Sequence, residues 1–485
     1  MMRSTLIQLT IALSCLTLSV LGQEKNYVPV KDTVVAEKIK KWQDLKFGLF
    51  MHWGPYSQWG TEASWTICPG DWPFRFNDRN LEDYFAYLKD YENLPKTFNP
   101  LQFDPERWAK AAKEAGMRYV VFTTKHHDGF CMYDTAETDY KITGTSCPFS
   151  VNPKADVTRE IFNSFRKEGF WIGAYFSKAD WHSNDYWWRR FPPYDQNVNY
   201  NPADYPERWD RFVQFTHRQI LEILSKYGPV DILWLDPQDV QKRSREELEA
   251  YYKKCVTSDN GFVKARQVNQ DLGMDELVAK ARAIQPSLIV VDRFVGGAHE
   301  NYITPENTVP EKALDFPWES CITSCNSWSY MFNAEYVSGF EVIHKLVDIV
   351  AKGGNLLLNI PPSPTGTWDD PIYVMLREVG DWMKVNNEAI YSTRSLPPYV
   401  DGKLRFTQKA DGKRFVIYLP DKDEHVIPRE IRIADFPLAS GARISVLGGP
   451  ETVSWSREGN AVTIAIPESL SANPPCLHAW VFKVD

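Results

Sequence analysis

The chain has 485 residues, of which 43% are hydrophobic and 24% are charged, a balance typical of a soluble globular protein. This length favours two domains over one. The formal net charge of -8 and the pI near 5.7 argue against a nucleic-acid partner or an anionic membrane, which would require a basic surface. The 18 tryptophans exceed what a core needs, and aromatic rings suit the apolar faces of sugars.

Residues 1–22 have the pattern of a signal peptide, with Arg3 before the mostly apolar stretch Leu6–Leu21 and small residues such as Gly22 at the end. The stretch lacks the clean apolar length of a membrane-spanning helix, and no other segment has it. We therefore expect no membrane span and a secreted or periplasmic protein. A lipid-anchored form, cleaved at Cys15, stays open as an alternative.

As far as about residue 385, apolar runs alternate with amphipathic stretches, which predicts parallel strands covered by helices. The predicted strands are 47–52, 119–124, 171–175, 232–235, 288–291 and 355–360. The predicted helices are 105–115, 158–167, 206–227, 275–284 and 335–351, with an exposed helix near 242–254. Both a doubly wound sheet and a closed barrel satisfy this pattern.

Polar residues at the strand ends favour the barrel. Catalytic residues contributed by many strands at their C-terminal ends are typical of a (β/α) barrel. No Gly-x-Gly-x-x-Gly turn, which a doubly wound nucleotide-binding sheet would carry, follows any predicted strand. Residues 23–390 are therefore predicted to form a TIM-like (β/α) barrel of the α/β class. The strand-end residues are His52, His126, His127, Asp236 and Arg293.

The pattern changes after about residue 390. Short apolar runs are separated by Asp-Gly, Gly-Gly and Pro turns, which predicts a C-terminal antiparallel β-sandwich over residues 396–485. The segment Leu396–Pro398 is the expected linker. The predicted strands are 414–419, 430–433, 444–446 and 461–466.

Asp236 ends the apolar strand that begins at Val230. A buried carboxylate costs free energy unless it is paired or lies in a polar cleft. Trp234, two residues earlier on the same face of the strand, is placed to stack on a bound ring. Glycoside cleavage needs a second carboxyl group, and the spacing leaves that choice open. The candidates are Glu62, Glu300, Glu319 and, on a proline-stiffened loop, Glu306.

The histidines allow a rival interpretation as a metal site, since three histidines at barrel strand ends can bind zinc. The adjacent His126 and His127 are expected to point to opposite faces of their strand, however, and no His-x-His or His-x-x-x-His pattern lies nearby. Neutral imidazoles also suit sugar hydroxyls, because each offers one donor and one acceptor. The histidines therefore favour sugar binding, and a metallohydrolase stays the outside alternative.

Five motifs together are specific: Lys46–Ser57, Phe122–Phe130, Asp231–Asp236, Trp318–Ser320 and Lys352–Ile360. In this order they resemble the α-L-fucosidases of glycoside hydrolase family 29, and the resemblance extends over about residues 35 to 480. It implies a (β/α) barrel followed by a β-sandwich. It also implies a retaining exo-glycosidase that removes terminal α-L-fucose from fucosylated oligosaccharides or glycoconjugates by double displacement, with neither a metal nor an organic cofactor.

The resemblance also implies roles for individual residues. Asp236 matches the nucleophile and Glu306 the acid/base, while Trp328 matches an aromatic residue that packs the sugar methyl group. The other residues matching the family's sugar pocket are His52, Trp65, His126, His127, Tyr175, Trp234 and Arg293.

Two loops depart from the family pattern. Many relatives have Glu-Ser-Trp in the loop after the first strand, whereas Ala63 takes the place of that glutamate here, with Glu62 one residue earlier. The segment Pro237–Asp239 replaces a frequent Gly-Gly. Both loops border the sugar pocket, so two alternatives stay open. One is an α-L-galactosidase or related L-sugar hydrolase, and the other is a non-catalytic sugar-binding protein.

Overall fold

The computed structural model describes residues 27–69, 83–257, 266–436, 438–449 and 452–485. The expected signal peptide, residues 1–22 with Cys15, lies outside them. Among the described residues, no helix is long and apolar enough to cross a bilayer. Seven parallel strands form the first sheet: β1 (Phe47–Met51), β2 (Tyr119–Lys125), β3 (Trp171–Ser177), β4 (Ile232–Asp236), β5 (Ile289–Asp292), β6 (Glu319–Thr323) and β7 (Asn355–Asn359).

The strand order β5-β4-β3-β2-β1-β7-β6 follows the chain around a cylinder and leaves one opening, between β5 and β6. Residues 299–307 bridge this opening. Asn301 N donates to the Val290 carbonyl of β5 (2.9 Å), and Glu319 N of β6 donates to the Ile303 carbonyl (2.9 Å). Over the described residues the barrel therefore has seven strands and a connecting segment in the eighth position, and the predicted fold class is confirmed.

Several barrel helices start with a side-chain cap that accepts from a first-turn N–H group, as Asp104 and Asp156 do, or with a proline, which has no N–H to satisfy. The helix predicted from residue 335 begins only at Gly339, because Ser338 and Glu341 form a capping box there. The helices are α1 (Thr33–Leu45), α2 (Tyr84–Glu92), α3 (Pro105–Glu114), α4 (Val157–Lys167), α5 (Pro206–Lys226), α6 (Arg245–Thr257), α7 (Met274–Ile284), α8 (Gly339–Ala351) and α9 (Asp370–Asn386).

The second sheet is antiparallel, in the order β11-β14-β13-β12-β15-β10-β9-β8, and its two halves pack over one apolar core. Leu396–Pro398, the expected linker, lies inside β8, whose pairing with β9 is irregular between Ser395 and Val400. Prolines lack the N–H that a regular ladder needs. The strands are β8 (Thr393–Asp401), β9 (Leu404–Lys409), β10 (Arg414–Tyr418), β11 (Glu430–Ile433), β12 (Ile444–Val446), β13 (Thr452–Glu458), β14 (Ala461–Ala465) and β15 (Trp480–Val484), with helix α10 (Glu468–Ala472).

Candidate active site

A cavity of about 230 Å³, which we call the sugar pocket, opens at the C-terminal ends of the barrel strands. Because the parallel strands all end at this face, the predicted site residues come together there. His127 does not line the cavity, but its Nε2 lies 3.5 Å from Asp236 Oδ2. The predicted residues that line the pocket are His52, Trp65, His126, Tyr175, Trp234, Asp236, Arg293, Glu306 and Trp328.

Asp236 is the last residue of β4 and is 9% exposed. The Tyr175 hydroxyl donates to its Oδ2 at 3.0 Å, and Arg293 Nη1 donates to its Oδ1 at 3.3 Å. Burial raises the pKa of Asp236, but Arg293, His127 and the Tyr175 hydrogen bond outweigh it, so the net pKa is below the ordinary value. The group is therefore an ionised carboxylate beside a cavity, as a nucleophile must be.

Glu306 lies on the segment that bridges β5 and β6. Trp328 Nε1 donates to its Oε1 at 3.2 Å, and Arg293 Nη2 donates to its Oε2. One buried guanidinium thus contacts both Glu306 and Asp236. Counting side-chain atoms alone, Glu306 is 30% exposed and Asp236 is 13% exposed. The two carboxyl groups therefore share a cation and a cavity, with Glu306 nearer the solvent.

Two of the other candidate carboxyl groups lie away from this pocket. Glu300 accepts hydrogen bonds from the backbone N–H groups of Phe294 (2.9 Å) and Gly296 (2.7 Å) and so stabilises the turn after β5. Glu319 is fully buried at the start of β6, at the opposite end of the barrel strands from the pocket. Trp234 Nε1 donates to it at 3.3 Å, and burial raises its pKa to about 7.

Glu62 borders a second cavity of about 360 Å³. Its Oε1 accepts a hydrogen bond from Trp328 N (2.9 Å), and burial raises its pKa. The two cavities share Trp65, Glu306 and Trp328. Glu306 therefore lies at the junction between them, whereas Glu62 borders only the second.

The three histidines are held by hydrogen bonds at Nδ1: His52 to Asn359 (2.8 Å), His127 to Ser177 (2.7 Å) and His126 to Ser64. Burial lowers the pKa of His52 and His127 to about 4 and that of His126 well below the ordinary value, so all three are neutral near pH 7.

The expectation that His126 and His127 point to opposite faces is wrong. Their ring centroids are 4.2 Å apart, because β2 ends at Lys125 and strand alternation no longer applies. Over the described part of the chain, no group of three or more His, Cys, Asp or Glu residues is arranged to hold a metal ion.

Comparison with known proteins gives a consistent result. The family model for Alpha-L-fucosidase matches residues 15–388. Plasma alpha-L-fucosidase of Homo sapiens is 25% identical over 485 aligned positions, covering 94% of this chain and 92% of that protein. The solved structure of alpha-L-fucosidase isoenzyme 1 from Paenibacillus thiaminolyticus is 28% identical, with a TM-score of 0.70 and coverage of 93% and 99%. A GH29 alpha-L-fucosidase from Bacteroides thetaiotaomicron, solved as a trapped covalent intermediate, shares the fold at 20% identity and a TM-score of 0.69, with coverage of 93% and 96%.

The chain belongs to the alpha-L-fucosidase family. The family match includes all seven strands of the barrel and the connecting segment that carries Glu306. The protein is therefore a glycoside hydrolase of the α-L-fucosidase type, and the predicted family and enzyme class are confirmed.

Sequence patterns did not identify every residue of this fucosidase pocket. Asn359 was missed, although it ends β7: its Oδ1 accepts from His52 Nδ1, and its Nδ2 donates to the Trp328 carbonyl (2.7 Å). Its position at a strand end within a motif was the available indication. Loop positions offered none, because they depend on how the loops fold. Other unpredicted lining residues are Phe50, Gln196, Phe294 and Cys321.

Proposed function

We propose that this enzyme hydrolyses terminal α-L-fucosides with retention of configuration, with Asp236 as the nucleophile and Glu306 as the acid/base. The observation that carries the proposal is that both carboxyl groups border one pocket and contact the same guanidinium, Arg293. The trapped covalent intermediate of the Bacteroides thetaiotaomicron relative supports the retaining route.

In the first step, Asp236 attacks the anomeric carbon while the glycosidic bond breaks and Glu306 gives its proton to the leaving oxygen. In the second, Glu306 takes a proton from water, the resulting hydroxide equivalent attacks the same carbon, and the Asp236 carboxylate is released. Glu306 suits both tasks because it lies where the sugar pocket meets the second cavity. We assign that second cavity to the leaving group.

The pocket wall favours fucose over L-galactose. Phe50 lies beside Trp328 with ring centroids 6.0 Å apart, and Cys321 is buried in the same wall. This apolar surface suits the methyl group of fucose, whereas the hydroxymethyl group of galactose would lose hydrogen bonds to water there. His52, whose ring centroid lies 4.5 Å from that of Phe50, and His126 are neutral and offer donors and acceptors to sugar hydroxyls.

The test uses matched aryl α-L-fucoside and aryl α-L-galactoside, each with and without a chelator. We expect turnover of the fucoside, much weaker turnover of the galactoside, no effect of the chelator, and α-L-fucose as the first anomer seen by proton NMR. First appearance of the β anomer would overturn the retaining mechanism, and equal turnover of the two sugars would overturn the assignment of the pocket wall.

We also propose that residues 1–22 direct export to the periplasm or the medium and that 23–390 and 396–485 form two domains. The apolar leader and the change of pattern near residue 390 support this. The intact mass of the exported protein tests the signal-peptide proposal: cleavage after Gly22 is the expected result. A lipid-modified Cys15 would replace this proposal with the lipid-anchored form.

A further inference from the structure

Beside the sugar pocket lies a cavity of about 480 Å³ whose walls are mostly apolar and include several Trp and Phe rings. It is formed by α2 and by the loop that follows β3, and both belong to the catalytic face of the barrel. Trp181 and Trp187 stack at its base, with ring planes 7° apart and centroids 5.0 Å apart. We call this cavity the aromatic groove; its apolar residues include Phe85, Leu88, Trp181, Trp187, Trp188 and Phe191.

Buried polar groups hold the groove in shape. The Asn199 side chain, 6% exposed, accepts from Trp188 N (2.8 Å) and donates to the carbonyls of Trp188 (2.9 Å) and Phe191 (2.7 Å). The indole N–H groups of Trp181 and Trp187 donate to backbone carbonyls at 3.1 and 2.9 Å. A rigid aromatic surface loses little entropy when a ligand binds, so this construction suits recognition.

The charges around the groove are unlike those of the whole chain. Lys89, Arg189 and Arg190 border it and are exposed. Among the described residues that line it, Glu92 is the one acidic residue, and it is paired with His182 at 3.2 Å. This positive rim belongs to a protein whose formal net charge is -8. Guanidinium groups bind carboxylates and sulfates through paired hydrogen bonds, so the rim is complementary to an anion.

The groove is close to the sugar pocket. Trp181 packs edge-on against Trp65, with centroids 5.3 Å apart, and Trp65 lines the pocket. Gln196 also lines the pocket, while its carbonyl accepts the Trp181 N–H. Two packed side chains, Trp65 and Trp181, therefore lie between the two cavities.

We propose that the aromatic groove binds an anionic sugar unit, sulfated or carboxylated, of the glycan whose terminal fucose occupies the sugar pocket. The aromatic rings contact the apolar face of this unit, and Lys89, Arg189 and Arg190 contact its anionic group. The assignment of one glycan to both cavities rests on the proposed function, whereas binding of the anionic unit does not.

The test measures binding separately from turnover. Chondroitin sulfate tetrasaccharide, which contains no fucose, and its desulfated and carboxyl-reduced form, which carries no charge, are titrated by calorimetry against the wild type, Arg189→Ser/Arg190→Ser and the control Arg429→Ser/Arg432→Ser. The control removes two exposed arginines, one directly before β11 and one within it, and so changes the net charge equally. We expect the wild type and the control to bind the sulfated form at least tenfold more tightly than they bind the desulfated form. The groove variant should bind the sulfated form at least tenfold more weakly than the wild type does.

Equal loss in both double variants, or equal affinity for the two tetrasaccharides, would overturn the proposal. So would concentration-dependent dimerisation in light scattering that only the groove variant abolishes, because the groove would then be an interface between copies of this chain. Turnover of an aryl α-L-fucoside should be unchanged in both variants. Its absence from the wild type would remove the proposed function while leaving the binding result intact.

Discussion

Asp236 and Glu319 are buried carboxyl groups in the same barrel, yet their surroundings differ. Asp236, at the end of β4, contacts Arg293, His127 and Tyr175, and its pKa lies below the ordinary value despite burial. Glu319, at the start of β6, accepts hydrogen bonds from Tyr119 (2.6 Å) and Trp234, and burial raises its pKa to about 7.

The difference shows that burial does not distinguish a nucleophile from a structural carboxyl group. Cationic and polar neighbours keep Asp236 ionised at the pocket, where the charge can react. Within the described residues, Glu319 has no ion-pair partner, and its donors are a phenol and an indole. Its contact with Trp234 instead positions a ring that lines the sugar pocket.

The largest effect is expected at Asp236, the proposed nucleophile. Asp236→Gly should lower kcat by roughly a thousandfold or more, because the covalent intermediate can no longer form. Added azide should restore part of the rate by attacking the anomeric carbon in place of the carboxylate. The matched control is Asp231→Asn at the other end of β4, where the carboxylate pairs with Lys38 and should affect stability rather than chemistry. Retention of a tenth of wild-type activity by Asp236→Gly would show that the assignment is wrong.

Glu306→Ala should have an effect that depends on the leaving group. The expected loss is about a hundredfold or more for glycosides with poor leaving groups and shrinks steeply for acidic phenols, which depart without a proton. The same series on Glu62→Ala and Glu319→Ala separates the candidates, since only the true acid shows this dependence. A uniform loss for Glu306→Ala would make it a binding residue.

A smaller effect is expected at Glu319. Glu319→Ala removes the acceptor for the Trp234 N–H and should lower kcat/KM by up to roughly tenfold, the worth of one hydrogen bond. Glu319→Gln keeps an acceptor and should retain most of the activity, with tryptophan fluorescence close to that of the wild type. Equal loss in the two variants would indicate that the charge, and not the contact with Trp234, matters.

The smallest effect concerns stability and pH, where the two carboxyl groups should act in opposite directions. The folded state holds the Glu319 proton up to about pH 7, whereas the unfolded chain releases it near the ordinary value of 4.5. The wild type should therefore lose stability relative to Glu319→Gln as pH rises through this window.

Asp236 has a lowered pKa, so the wild type should lose stability relative to Asp236→Asn as pH falls below the ordinary value of 3.8. Thermal unfolding of the three proteins from pH 3 to 8 checks both signs; differences that move in the same direction would contradict the comparison.

Much of the barrel could be predicted because its strands are continuous apolar runs that must be buried on both faces. Six of the seven parallel strands were identified, each to within about two residues, whereas β6 (Glu319–Thr323) was missed because its sequence mixes Glu, Ser and Thr with only two apolar residues. Those polar groups are satisfied by tertiary hydrogen bonds, such as Tyr119 to Glu319, which no local pattern reveals.

The site residues that lie at strand ends were also predictable, because their places depend on the same strands. Strand-end residues such as His52 and Asp236 follow directly from the strand positions. Loop residues do not: Glu306 reaches the pocket because residues 299–307 fill the opening in the barrel, and Gln196 because its loop folds back over the catalytic face. The aromatic groove has the same origin and could not have been derived from the spacing of its residues.

The most direct test of the central claim is to identify the residue that carries the covalent intermediate. The enzyme would be incubated with 2-fluoro-fucosyl fluoride, digested and analysed by peptide mass spectrometry. We expect one added 2-fluorofucosyl group, on the peptide that contains Asp236 and fragmenting to that residue. A label on Glu306 or Glu62, or complete turnover of the reagent through an inverted product without any label, would contradict the assignment of Asp236 as the nucleophile.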